Sequence, residues 1–240
     1  MSHSHLVSIQ VGMPREYGKE GAGHPMDRPW YTGFLKERIS GPVQLHWTNL
    51  EGDGQADLVH HGGRDKAVLA YSADHYDSWR REMSHPDLPF GAFGENFTLV
   101  GLTERDVCIG DRWAVGETVQ VQISQPRQPC WKLARRWKRK TLALEVQQSG
   151  RTGWYFRVLI EGTVAAGMTL TLLERPYPEW SVERANQIMH NDKQNMAAAL
   201  ELASIPLLSE NWQATLLKRG RGVESDPAKR LIGQNEDGAT

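Results

Sequence analysis

Val119-Gln-Val-Gln-Ile-Ser-Gln-Pro-Arg-Gln-Pro-Cys-Trp-Lys-Leu-Ala-Arg-Arg-Trp137 changes its pattern twice within one run. Val119, Val121 and Ile123 alternate with Gln120, Gln122 and Ser124, the period of a strand with one buried face. Pro126 and Pro129 then end the ladder, because proline has no N–H to donate and a fixed φ. After Cys130, Leu133, Ala134 and Trp137 recur at helical spacing. Cys130 is therefore held in a rigid two-proline loop between the end of a strand and the start of a helix. Arg127, Lys132, Arg135 and Arg136 surround it in sequence, with no acid nearby. A helix start and cationic neighbours both favour thiolate over thiol, and thiolate is the nucleophile and the metal ligand. From the residues alone two readings stay open: an inert buried cysteine, or a reactive or ligating one.

Working outward, the 240 residues suffice for one full core with room for an appendage. A formal net charge of −1 and a hydrophobic fraction of 39% describe an ordinary soluble chain, with no global charge favouring nucleic acid or a membrane surface. Met1 to Val7 lacks the basic and apolar regions of a signal peptide, and no apolar run reaches spanning length. Cys108 and Cys130 are the only cysteines, too few for a disulfide framework, an iron–sulfur site or a four-cysteine zinc site. A cytoplasmic setting is expected.

In chain order, Leu6–Val11 reads as a first strand, and Thr32–Arg38 and Gly41–Trp47 as two more. Glu51 to Asp57 lacks the twelfth-position Glu of a calcium loop and reads as a turn. In Leu58-Val-His-His-Gly-Gly-Arg-Asp-Lys-Ala67, His60 and His61 would point apart on a strand and make a poor chelating pair. Gly62 and Gly63 permit close backbone approach, and Arg64 and Lys66 add charge, which suits an anion. The residues alone favour a turn there. Ser72 caps a helix running to Glu82. Phe90-Gly-Ala-Phe-Gly-Glu-Asn-Phe97 is either a bulge at a strand start or a loop bringing Glu95 and Asn96 to a ligand. The basic run Arg135–Lys140 reads first as a solvated helix face, and second as a docking surface for an acidic partner or nucleic acid. Short strands with glycine corners argue for a mainly β fold, a barrel-like domain over residues 1–176. Three short helices follow as a separate appendage over 177–219, begun by caps at Ser181, Asp192 and Ser209. The polar tail 220–240 reads as disordered.

Six stretches together carry a resemblance. They are Gly33-Phe-Leu-Lys36, Gly52 to Gly63, Gly94-Glu-Asn-Phe97, Ile109-Gly-Asp111, Gln125-Pro-Arg-Gln-Pro-Cys130 and Gly162-Thr-Val-Ala-Ala-Gly167. In this order they resemble a bacterial MOSC-domain protein of the YiiM type, from about Leu6 to Arg219, including the three-helix appendage. The resemblance implies a MOSC β-barrel binding molybdenum cofactor, with Cys130 as the thiolate ligand to molybdenum. It further implies reduction of N-hydroxylated compounds, such as 6-hydroxylaminopurine, to amines.

On that reading Cys130 and His61 are the catalytic candidates, and histidines near the metal deliver protons in the physiological range, with the donor among them left open. Lys36, His60, Gly62, Gly63, Arg64, Lys66, Glu95, Asn96, Gln125, Arg127 and Lys132 are the cofactor-binding candidates. Lys36, His61, Arg64, Lys66, Asn96 and Arg127 are expected to line one pocket with Cys130. With no iron–sulfur ligands or GxGxxG, electrons come from a separate flavin or iron–sulfur protein, and the basic helix after Cys130 is its candidate docking face. No nucleic-acid or membrane partner is expected, and the chain is a monomer or dimer. The alternative is a carrier of molybdenum cofactor or of sulfur, held on Cys130 as a persulfide.

Overall fold

The structure, a computed structural model, describes residues 4–223 and 226–236. Its strands are β1 (His5–Val11), β2 (Arg15–Tyr17), β3 (Trp30–Thr32), β4 (Glu37–Arg38), β5 (Val43–Leu45) and β6 (Val68–Ser72). They continue with β7 (Phe97–Val100), β8 (Arg112–Val115), β9 (Val119–Pro126), β10 (Trp154–Ile160), β11 (Gly162–Val164) and β12 (Leu170–Glu174). Eight of them form one sheet in the order β12-β8-β9-β10-β6-β7-β1-β4. Among the described residues only the β6–β7 pair is parallel.

The sheet curls until its two ends meet. Leu6 N–H donates to Met168 O and Leu170 N–H to Ser4 O, each at 2.9 Å, so β1 lies against the approach to β12. Curling removes most of the exposed edge and encloses an apolar interior. Val119, Val121 and Ile123 are buried as their alternation required, facing Leu6, Ile9, Phe97, Trp113 and Phe156 in one core. The strand β9 continues through Pro126, one step past the expected break. Proline removes a single donor, and the next residue, Arg127, gives its N–H to Gly153 O at 3.0 Å.

The helices between these strands are α1 (Leu58–His61), α2 (Tyr76–Glu82), α3 (Lys132–Trp137) and α4 (Leu142–Ser149). Tyr71, Tyr76, Trp79, Phe93, Leu133 and Val146 form a second, aromatic core under α2 to α4. Ser72 Oγ accepts from Asp74 N–H at 3.2 Å, the expected cap, although the first turn is a tighter 3-10 turn. The expected strand Thr32–Arg38 is broken in two. Gly33 passes so close to the backbone of Gly54 that a Cβ there would lie 2.2 Å from its carbonyl oxygen. His60 and His61 lie in α1, capped by Asp57, not on a strand.

The three-helix region is α5 (Val182–Asn186), α6 (Met196–Ala203) and α7 (Glu210–Gly220). Short helices are marginal alone, and these bury Trp180, Val182, Ala199, Leu202, Trp212 and Leu216 in the same core as the sheet. Ser181 caps α5 by accepting from Arg184 N–H at 3.1 Å. The cap of α6 is Asn195, not Asp192, because Asn195 Oδ1 reaches Ala198 N–H at 3.1 Å. The expectation of a disordered tail over 220–240 is corrected for residues 226–236, while 224–225 and 237–240 lie outside the described residues. Within 226–236, α8 (Ala228–Leu231) and a 3-10 turn at Gly233–Asn235 are folded onto the loop of Cys130.

The basic run is also corrected. Arg135 is 2% exposed and donates to Asn235 Oδ1, Pro25 O and Gln234 O. Arg136 donates to Gly91 O, Lys138 to Asp27, and Arg139 to Glu145 and Glu82 O. Arg135, Arg136 and Arg139 hold loops together, while Lys138 and Lys140 stay exposed, so only part of the run is the solvated face expected of it. Among the described residues no helix is long and apolar enough to cross a membrane.

Candidate functional site

The loop after β9 delivers Cys130 to the meeting point of two hollows, and the thiol residue is 6% exposed. The first, called the inner cavity, spans about 560 Å³ and the second, the outer cleft, about 1390 Å³, both open to solvent. Helix α3 begins at Lys132 without a side-chain cap, so the loop depends on contacts from elsewhere. Among the described residues no group of three His, Cys, Asp or Glu side chains is placed to hold a metal ion. A metal at Cys130 would have to bring most of its own ligands.

Lys36, His61, Lys66, Asn96, Arg127, Cys130 and Lys132 all line the inner cavity, although they come from separate loops and strands. Their availability differs. Lys36 is paired with the Asp53 carboxylate and Asn96 is fully engaged. Asn96 Nδ2 donates to Gln10 O at 3.2 Å and Asp53 Oδ2 at 2.9 Å, while its Oδ1 accepts from Leu69 N–H at 3.1 Å. These two residues build the floor of the cavity and have little left for a ligand.

Other candidates lie elsewhere. Glu95 is buried and accepts from Gly91 N–H at 2.6 Å, Phe93 N–H at 3.1 Å and the Tyr76 hydroxyl, which makes it a strut of the aromatic loop. Arg64 stacks on Trp47, its guanidinium 4.7 Å from the ring centre, outside both hollows. Gly62 closes α1 and Gly63 turns the chain at φ +92°, and neither lines the cavity. The His60 side chain is 75% exposed, is bonded to Asp57 at 2.9 Å and borders only the outer cleft. Gln125 also borders the outer cleft, and its Oε1 is buried with no hydrogen-bond partner among the described residues.

The inner cavity is cationic. Arg127 is 3% exposed, and one of its nitrogens donates to Phe93 O at 3.2 Å. Its Nη1 is buried with no partner among the described residues. A guanidinium nitrogen left so costs free energy until an anion accepts from it. Burial lowers the pKa of Lys66, whose ammonium donates to His60 O at 2.8 Å. His61 is pushed down to about 3 by burial, with Lys132, Lys66 and Arg127 adding repulsion. At that value it is neutral at pH 7.

Sequence reasoning missed Tyr155, Asp53 and Arg230. Tyr155 lines both hollows and its pKa is raised to about 12 by burial, so its hydroxyl keeps its proton. It sits opposite Gln125 in the β9–β10 pair, a register the alternation of β10 could have offered. Asp53 was hidden in what reads as a glycine turn, and nothing in the spacing marks Arg230.

A curled sheet with a cationic cleft over one loop cysteine defines a class that the comparisons identify. A model of the MOSC domain matches residues 57–171. A second, described as the YiiM-like, 3-alpha helix domain, matches residues 180–219. The chain belongs to the MOSC-domain family, in its YiiM-like form. Uncharacterized protein YflK of Bacillus subtilis is 46% identical over 214 residues, covering 89% of this chain and 93% of that protein. The crystal structure of YiiM from Geobacillus stearothermophilus superposes with a TM-score of 0.75 at 38% identity, covering 90% of this chain and 99% of that one. A protein named reductase from Gibberella moniliformis is 38% identical over 178 residues, 73% of this chain but only 32% of that protein.

MOSC domains are associated in general with binding molybdenum cofactor. The residues present fit such a group. Cys130 supplies a soft sulfur ligand, and the unpartnered Arg127 Nη1 with Lys66 and Lys132 suits a phosphate-bearing pterin.

Proposed function

We propose that the chain is a molybdenum-cofactor-dependent reductase of N-hydroxylated compounds such as 6-hydroxylaminopurine, working in the cytoplasm. Its net reaction takes R–NHOH, two electrons and two protons to R–NH₂ and water. The electrons come from a separate flavin or iron–sulfur protein. The observation that carries the reading is that Cys130, at the junction of two hollows, lines one cavity with Arg127, one of whose nitrogens is buried and unpartnered among the described residues. One hollow suits a cofactor and the other a substrate.

When bound, the cofactor supplies the two-electron oxygen-removing chemistry, and the protein supplies ligand, orientation and protons. Cys130 offers the sulfur ligand. Arg127, Lys66 and Lys132 hold the anionic end of the group and orient it. Tyr155, whose hydroxyl keeps its proton, can donate a hydrogen bond to the departing hydroxyl. His61 takes part as a neutral imidazole that accepts or relays a hydrogen bond.

The test is molybdenum analysis of protein made with and without a cofactor-synthesis pathway, followed by reduction of a hydroxylamino substrate with a chemical electron donor. Near-stoichiometric molybdenum with amine formation supports the reading. Protein that takes up no molybdenum rules it out. Protein that holds cofactor but never reduces the substrate is a carrier instead.

A further inference from the structure

Residues 226–236 lie beyond both matched domains, yet they return to the cysteine. Arg230 O accepts from Trp131 N–H at 2.8 Å, and Asn235 Nδ2 donates to Trp131 O at 2.9 Å. The Arg230 guanidinium donates to Pro129 O and, at 2.7 Å, to Gln147 Oε1. Both residues that flank Cys130 are thus held by the tail, not by a cap on α3. Asn235 Oδ1 in turn accepts from Arg135 Nε at 3.0 Å, which ties the tail to the buried face of α3.

The fit around Trp131 is close. Gly233 lies against the indole at φ +50°, and a Cβ there would come within 2.2 Å of Trp131 Cδ1. The ring centre of Trp30 is 5.7 Å from that of Trp131, and the Arg135 guanidinium 4.9 Å. Asp226, Lys229 and Arg230 meanwhile form one wall of the outer cleft that opens on Cys130. Burial pushes the Arg230 guanidinium down to about 10, which leaves it charged at neutral pH beside the thiol.

We propose that residues 226–236 are a strap that positions the Cys130 loop and controls access to its thiol. The strap contributes no strand to the sheet, so it can lift while the barrel stays folded. Lifting it removes the partners of Pro129 O and Trp131 N–H and takes away one wall of the outer cleft. A polar segment held by a few hydrogen bonds and one aromatic contact belongs to the low-stability end of a fold, where such opening occurs. The inference rests on Cys130 being the working group of the site, but thiol accessibility needs no cofactor to be read. Its failure is therefore distinct from failure of the reductase reading.

The experiment is iodoacetamide alkylation of the full-length apo protein, with each cysteine quantified by mass spectrometry. Gly233→Ala keeps every charge and hydrogen-bonding group of the strap but collides with Trp131. It should raise the alkylation rate of Cys130 by about tenfold or more through local opening, with Cys108 unchanged. Cys108 is buried elsewhere and reports on the global fold. Should Gly233→Ala make both cysteines reactive, Asn235→Ala carries the test, since it removes only the bonds to Trp131 and Arg135. Faster labelling of Cys130 alone supports the strap. Labelling of Cys130 at the wild-type rate in a folded variant overturns it.

Discussion

Lys36 and Asp53 neutralise each other at the floor of the inner cavity, with side chains 7% and 0% exposed. Gly12 N–H and Asn96 Nδ2 complete the carboxylate's shell, each at 2.9 Å. Burial lowers the Lys36 pKa while Asp53 opposes the shift. Breaking such a pair leaves an uncompensated charge in a poorly solvated place, which costs about 3–5 kcal/mol. Asp53→Asn should therefore destabilise by roughly that amount in urea unfolding, and adding Lys36→Met should recover much of it. A loss below about 1 kcal/mol would be the value of a surface pair and contrary to the burial described.

Arg127 differs from Lys36 in having a donor to spare. Arg127→Met should weaken retention of a phosphate-bearing cofactor by about 10- to 100-fold, the loss of a charged hydrogen bond worth ~1.5–3 kcal/mol. Stability should fall by only about 1 kcal/mol, for the lost bond to Phe93 O. The measurement is molybdenum content after dialysis beside the thermal midpoint. Full retention of molybdenum would mean that the free nitrogen serves something else.

What the chain revealed beforehand follows from the kind of force involved. The sheet and the Cys130 loop were legible because period-two burial and proline leave local marks, as in Val119 to Pro129. Convergence of Lys36, His61, Lys66, Asn96 and Arg127 is read from the glycine-rich and basic loops, and Arg64, expected with them, lies outside the cavity. Which of these has donors left was illegible, because Asp53 meets Asn96 across 43 positions of chain. The tail was misread for a related reason. It docks through Arg230, Asn235 and one glycine–tryptophan contact, so it shows no apolar pattern. Arg135 and Arg136 look like surface residues by type, and only the carbonyls of Pro25 and Gly91 explain their burial.

The two cysteines should separate cleanly. Cys108 sits in the core with its Sγ 3.5 Å from Pro178 O, and burial pushes its thiol pKa up. Cys108→Ser should keep molybdenum and activity and lose at most ~1–3 kcal/mol of stability. Cys130→Ser should lose both metal and N-hydroxyl reduction while remaining folded, since a serine hydroxyl is too hard a ligand to replace sulfur. An active, molybdenum-loaded Cys130→Ser protein would remove the ligand role altogether.

His190 gives the chain an acid limb unrelated to the cysteine. Its ring lies edge-on to Trp212, 6.3 Å between centres, and its Nε2 is buried without a partner among the described residues. Burial pushes its pKa down to about 3, with Arg230, Arg219 and Lys193 adding repulsion. The unfolded chain takes up this proton near pH 6.5 while the folded chain refuses it until about pH 3. Stability from this group is thus complete above pH ~6.5 and falls as pH drops through the window toward 3. At pH 5 the loss should be ~1–2 kcal/mol for His190, with His61 contributing its own share by the same mechanism. His190→Phe keeps a ring against Trp212 and cannot protonate. Comparing urea midpoints at pH 7.5 and pH 5 should show the acid loss shrinking by ~1–2 kcal/mol in the variant. An identical acid loss in both proteins would show that His190 is as free to protonate folded as unfolded, contrary to its place against Trp212.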